Sequence, residues 1–70
     1  MKTTRIYNGR AINFRKSENI LIVWLSENPL DSFEVKRREN GEIFAYGFEG
    51  DFSVTEIKEA KRIFECYEAL

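Results

Sequence analysis

The stretch FEVKRRENGEIFAYGF, residues 33–48, reads as two β-prone runs on either side of Asn40-Gly41. A two-residue type I′ turn needs positive φ at both central positions, which Asn tolerates and Gly permits freely. Centring the turn there sets Glu39 opposite Glu42, Arg38 opposite Ile43, Val35 opposite Tyr46 and Phe33 opposite Phe48. Side chains alternate between faces along a strand. One face is therefore expected to carry Phe33, Val35, Phe44, Tyr46 and Phe48 into a core, and the other Glu34, Lys36, Arg38, Ile43, Ala45 and Gly47. Slipping the pairing by one residue would turn those aromatics to water, so the pattern specifies the register strongly.

A helix signal follows at once. Ser53-Val54-Thr55-Glu56 has the form of a capping box, with Phe52 and Ile57 placed as a hydrophobic staple. Ile57, Ala60, Ile63, Phe64, Tyr67 and Leu70 then recur at three- and four-residue spacings, an apolar stripe suited to packing on a sheet. Glu59 with Arg62 and Lys61 with Glu65 are spaced to pair on the outer side.

Working back towards the N-terminus, Asn8-Gly9 repeats the turn signal between β-prone runs. A hairpin there sets Tyr7 opposite Arg10 and Arg5 opposite Ile12; the alternative is one long strand bulged at Gly9. Ile20 to Leu25 is apolar without alternation, the pattern of a central strand covered on both faces, with Trp24 in the core. Pro29 lies in a polar loop. The order of elements predicts one domain over residues 1–70 of α+β class. Its small antiparallel sheet has four or five strands, within 3–7, 10–16, 20–25, 33–39 and 42–48, and a helix over 54–68 packs on one face.

Composition bounds the chemistry. The chain has no histidine, which removes the commonest general base and metal ligand. A lone cysteine, Cys66, excludes an internal disulfide and ordinary zinc or iron–sulfur sites, and suits a reducing compartment. Neither GxxxxGK[ST] nor GxGxxG occurs. No catalytic residue, cofactor or metal is expected, and the protein is expected not to be an enzyme. The longest apolar run, residues 20–25, is too short to span a bilayer, and no signal peptide is visible, so a cytoplasmic location without membrane contact is expected.

Net charge is −1, but it is unevenly placed. Residues 1–16 hold bases and no acid, Lys36-Arg37-Arg38 adds three more, and residues 39–70 are mainly acidic. Two partner-binding surfaces follow. One is a basic strand face of Lys36, Arg38, Arg37, Arg5, Arg10, Arg15 and Lys16; the other is an acidic helix face of Glu56, Glu59, Glu65 and Glu68. The expected function is a non-catalytic protein-interaction module that occludes a partner's surface. In size and style it is similar to the small inhibitors of phages and mobile elements, anti-CRISPR proteins among them. A homodimer through a sheet edge or an apolar patch is also expected to be within reach of so small a core.

The alternative is nucleic-acid binding through the basic face of the sheet. Residues 33–70 join a strand–turn–strand, the Gly47-Phe48 step and the helix ending EAKRIFECYEA. That half of the chain resembles sheet-plus-helix DNA readers such as the plant AP2 domain and the arm-binding domains of phage integrases. It departs from their Arg/Trp pattern on the DNA-facing strands.

Overall fold

A computed structural model describes residues 2–68, the last of them by its backbone alone. The chain forms β1 (Lys2–Tyr7), β2 (Arg10–Ser17), β3 (Ile20–Leu25), β4 (Ser32–Arg37), β5 (Ile43–Glu49) and α1 (Val54–Glu68). The strands lie in sequence order in one antiparallel sheet, and α1 packs across β2 to β5 on one face. This is the expected α+β fold. Leu70, counted in the helix stripe from sequence, lies outside the described residues.

The β1–β2 hairpin turns where Asn8-Gly9 predicts. Asn8 and Gly9 have φ of 52° and 76°, and Tyr7 pairs with Arg10 and Arg5 with Ile12. A single bulged strand is excluded.

The second hairpin departs from its expected register. Arg37 pairs with Ile43, Lys36 with Phe44, Val35 with Ala45 and Glu34 with Tyr46. The loop is three residues, Glu39-Asn40-Gly41. It is closed by Gly41 N–H donating to Arg38 C=O at 2.9 Å and Arg38 N–H to Glu42 C=O at 2.7 Å. Gly41 alone takes positive φ, at 92°, while the Asn40 side chain accepts the Glu42 N–H at 2.9 Å. This is a type I turn followed by a left-handed residue, the usual three-residue hairpin.

Charge gives the physical reason. A two-residue turn would set the Glu39 and Glu42 carboxylates directly opposite, which is destabilising. The longer loop separates them, and Glu42 instead pairs with Arg38 at 2.9 Å. Phe44 and Tyr46 consequently face away from the helix, and Ile43 and Ala45 face the core, the reverse of the expected assignment.

A bulge then restores Phe48 to the core side. Glu34 pairs with Tyr46 but Ser32 with Glu49, so β5 holds one residue more than β4 over this span. Gly47, at φ 70°, supplies the left-handed step. No atom lies within 4 Å of a Cβ placed there, so the cost of Gly47→Ala is conformational only. A loss of about 1 kcal/mol in stability by urea denaturation is expected.

The core consists of Ile12, Phe14, Leu21, Val23, Leu25, Phe33 and Val35 from the sheet with Ala60, Ile63 and Phe64 from α1. Phe33 stacks on Phe48 with centroids 4.9 Å apart and meets the edge of Phe52 at 4.7 Å. The capping box forms as predicted. Glu56 N–H donates to Ser53 Oγ at 3.1 Å, and Ser53 N–H to Glu56 Oε1 at 2.7 Å. Near the other end of α1, the Tyr67 hydroxyl and Thr3 Oγ1 share a hydrogen bond of 2.7 Å.

β3 is central, as its composition suggests, but it is covered on one face only. Leu21, Val23 and Leu25 are buried, whereas Ile20, Ile22 and Trp24 are half-buried on the side away from α1. Trp24 is therefore not a core residue. Among the described residues one helix packs on the five strands, and the second sheet face is open. Cys66, in the last turn of α1, is exposed.

Candidate functional site

Register and alternation place every strand side chain on one of the two faces. The open face carries Lys2, Thr4 and Ile6 from β1, Ala11, Asn13 and Arg15 from β2, and Ile20, Ile22 and Trp24 from β3. Glu34 and Lys36 follow from β4, and Phe44 and Tyr46 from β5. Its half-exposed apolar side chains are Ile22 and Trp24 on β3 and Phe44 and Tyr46 on the edge strand β5, with Glu34 and Lys36 of β4 between the two pairs. Among the described residues no element packs on it.

Cations border this patch and lie against its rings. Lys2 Nζ is 5.6 Å from the Trp24 centroid, and Lys36 Nζ is 5.6 Å and 5.2 Å from those of Phe44 and Tyr46. The Arg38 guanidinium stacks 3.8 Å over Phe44. Such contacts are worth about 0.5–1 kcal/mol each where exposed, which holds the charges close to the apolar centre. Arg15 stands between Lys2 and Ile22 and, with Ile22, Trp24, Pro29 and Ser32, lines a shallow hollow of about 330 Å³.

Four polar side chains of this face, Thr4, Asn13, Glu34 and Tyr46, bond within the protein. Tyr46 donates its hydroxyl proton to Glu34 at 2.6 Å, and that bond, with burial second, raises the phenol above its usual range. Asn13, buried beside Trp24, accepts from Thr4 Oγ1 at 2.6 Å and donates to Ser26 Oγ at 2.7 Å.

The seven bases proposed from sequence do not share one surface. Lys36, Arg38 and Arg15 belong to the open face. Arg5, Arg10 and Lys16 lie on the helix side, where Lys16 sits 5.4 Å over Phe64. Arg37 alternates to the helix side too and donates to the Gly41 carbonyl. Arg10 is built into the helix cap: it donates to the Asp51 carbonyl at 2.8 Å and pairs with Glu56 at 3.4 Å.

The acidic helix face is likewise reduced. Glu56 is only 2% exposed. Glu59 is engaged by Arg62, whose guanidinium is the main cause of its lowered pKa. Glu65 is exposed, and the Glu68 side chain lies outside the described residues. Among the described residues, no cluster of three or more His, Cys, Asp or Glu side chains could hold a metal ion, and no helix is long and apolar enough to cross a membrane.

Sequence reasoning missed Trp24, Ile22, Phe44, Tyr46 and Lys2 as surface residues. Two signals could have found them: the opposed Glu39–Glu42 pair, and the single helix available to cover two sheet faces. No family model, curated protein or solved structure matches this chain.

Proposed function

We propose that this protein is a non-catalytic interaction module whose docking surface is the open face of the sheet, and that its partner is a polypeptide with an apolar centre and acidic surroundings. The observation that carries this is the uncovered pairs Ile22 with Trp24 and Phe44 with Tyr46, interleaved with Glu34 and Lys36 and flanked by Lys2, Arg15 and Arg38. Exposed apolar side chains gathered on one face among polar groups are the mark of an interaction site. Trp, Tyr and Arg are the residues that most often dominate interface energies. The hollow beside Trp24 suits one anchoring apolar side chain, and Arg15 at its wall suits a carboxylate. Binding there would act by occlusion, the mode of a small phage or mobile-element inhibitor. A reducing cytoplasm fits the exposed free thiol of Cys66.

Nucleic-acid binding is the second reading, favoured by the coupling of aromatic rings with cations on this same face. Single-stranded chains bind by stacking bases on such rings and laying phosphates on such charges. The isoleucines among the rings favour a protein partner, because they offer apolar contact and no stacking surface.

The test begins with the tagged chain in extract of its own cell, followed by binding measurements with the purified captured protein. Lys36→Glu with Arg38→Glu is expected to weaken that binding at least tenfold, about 1.4 kcal/mol. The melting temperature is expected to fall, because both side chains lie on Phe44 and Arg38 pairs with Glu42, so binding is measured where circular dichroism shows the double variant folded. Undiminished binding by the double variant would remove this face as the docking surface. Retention on single-stranded DNA or RNA with a steep loss as salt rises would favour the second reading instead.

A further inference from the structure

We infer that the free edge of β1 is a self-pairing surface, and that two copies of this chain join there into one continuous antiparallel sheet. A two-residue turn closes on a hydrogen-bonded pair, here Tyr7 with Arg10, and such pairs alternate with non-bonded ones along the ladder. Tyr7, Arg5 and Thr3 therefore direct their N–H and C=O groups at β2. Ile6, Thr4 and Lys2 direct theirs outward, where among the described residues no strand receives them.

The two sheet edges are not equivalent. β5 is bent by the bulge at Gly47, a device that discourages pairing. β1 runs through Lys-Thr-Thr-Arg-Ile-Tyr with no bulge and no proline. α1 spans β2 to β5, and the hydrogen bond between Tyr67 and Thr3 lies on the helix side, so among the described residues nothing covers the edge itself. Ile6 lies at this edge and is 72% exposed.

The second copy is singled out by self-complementarity. In antiparallel pairing about a two-fold axis at Thr4, Thr4 meets its own copy and Lys2 meets Ile6. All the outward-facing residues then fall in hydrogen-bonded pairs, each exchanging two bonds. The Lys2 stem covers the exposed Ile6, and on the helix side Arg5 lies beside Thr3. No like charges stand opposite one another. Shifting the register by one residue either way sets outward groups against inward ones and loses the ladder. Shifting by two to extend pairing towards the turn sets Arg5 against Arg5. The favoured register also brings the two Trp24 faces onto one side of a common sheet.

Sedimentation equilibrium of the full chain tests this. The wild type is expected to run at twice 8.3 kDa. Thr4→Pro removes the central outward N–H and the hydroxyl that donates to Asn13 but keeps the backbone ladder to β2, and is expected to run as a monomer that circular dichroism shows to be folded. Ile6→Lys, a substitution at an exposed position, places a second ammonium group opposite Lys2 and is expected to raise the dimer dissociation constant at least tenfold. A wild type that stays monomeric up to about 1 mM overturns the inference. Retention of the dimer by the folded variants overturns it as well, as does a dimer that Trp24→Ala dissociates and Ile6→Lys does not.

Discussion

Phe33→Ala is expected to cost about 3–5 kcal/mol, a large part of the protein's stability, while Phe44→Ala costs about 1–2 kcal/mol. Both are phenylalanines in the same hairpin, and from sequence both belong to its apolar face. In the structure Phe33 is 1% exposed, stacked on Phe48 and edged by Phe52, so truncation opens a cavity among rings that cannot collapse into it. Phe44 is half-buried on the open side, with Lys36 and Arg38 against it and water beyond. A chain of 70 residues has about 4–10 kcal/mol of total stability, so the first loss is a large part of the whole. Urea midpoints at constant m-value measure both. Equal costs would mean that the hairpin has a different register, and that the open-face patch does not exist in this form.

The difference between those two residues shows where local sequence stops deciding structure. Asn40-Gly41 and Asn8-Gly9 are the same dipeptide, and each does make a hairpin turn. One folds as a three-residue loop and the other as a two-residue turn. What separates them is the neighbours: Tyr7 and Arg10 can stand opposite each other, whereas Glu39 and Glu42 cannot do so cheaply. Elements and their order depend on turn chemistry, capping and apolar spacing, which are local, and the α+β architecture follows from them. Faces depend on register, which one repulsive pair shifted by a residue. Gly47 is readable as a strand glycine, but its use as a bulge that returns Phe48, still 43% exposed, to the helix side depends on that shift.

The open face was hidden for a related reason. An unbroken apolar run such as Ile20–Leu25 has the same appearance whether both sides are covered or one is left for a partner. Counting layers resolves it: a single 15-residue helix covers one side of this sheet. The basic residues were legible as a group but not as a surface, because alternation sends neighbours in sequence to opposite faces. Lys36 and Arg38 were placed opposite the aromatic residues of the hairpin. They instead lie on two of them, Phe44 and Tyr46, and that joins charge to apolar area at one site.

Arg10 illustrates the separation most sharply, because the structure gives it a structural partner where sequence offers it as a binding residue. Arg10→Met keeps an apolar stem but removes the charge beside Glu56, whose side chain is only 2% exposed. The remaining carboxylate keeps the Ser53 N–H and the N-terminal end of the helix dipole, which offset part of the loss. Full removal of one partner from a buried pair costs about 3–5 kcal/mol. Here the Arg10 side chain is 35% exposed, so about 2–3 kcal/mol is expected by urea denaturation. The control is Glu56→Gln, whose amide oxygen can still accept the Ser53 N–H and carries no charge. In that background Arg10→Met should cost about 1 kcal/mol, a coupling of about 1–2 kcal/mol between the two positions. A free surface arginine held for a partner would behave differently: its replacement would cost within about 0.5 kcal/mol in either background, and the two substitutions would simply add. The cycle thus decides whether the first base of β2 belongs to the helix cap or to the partner.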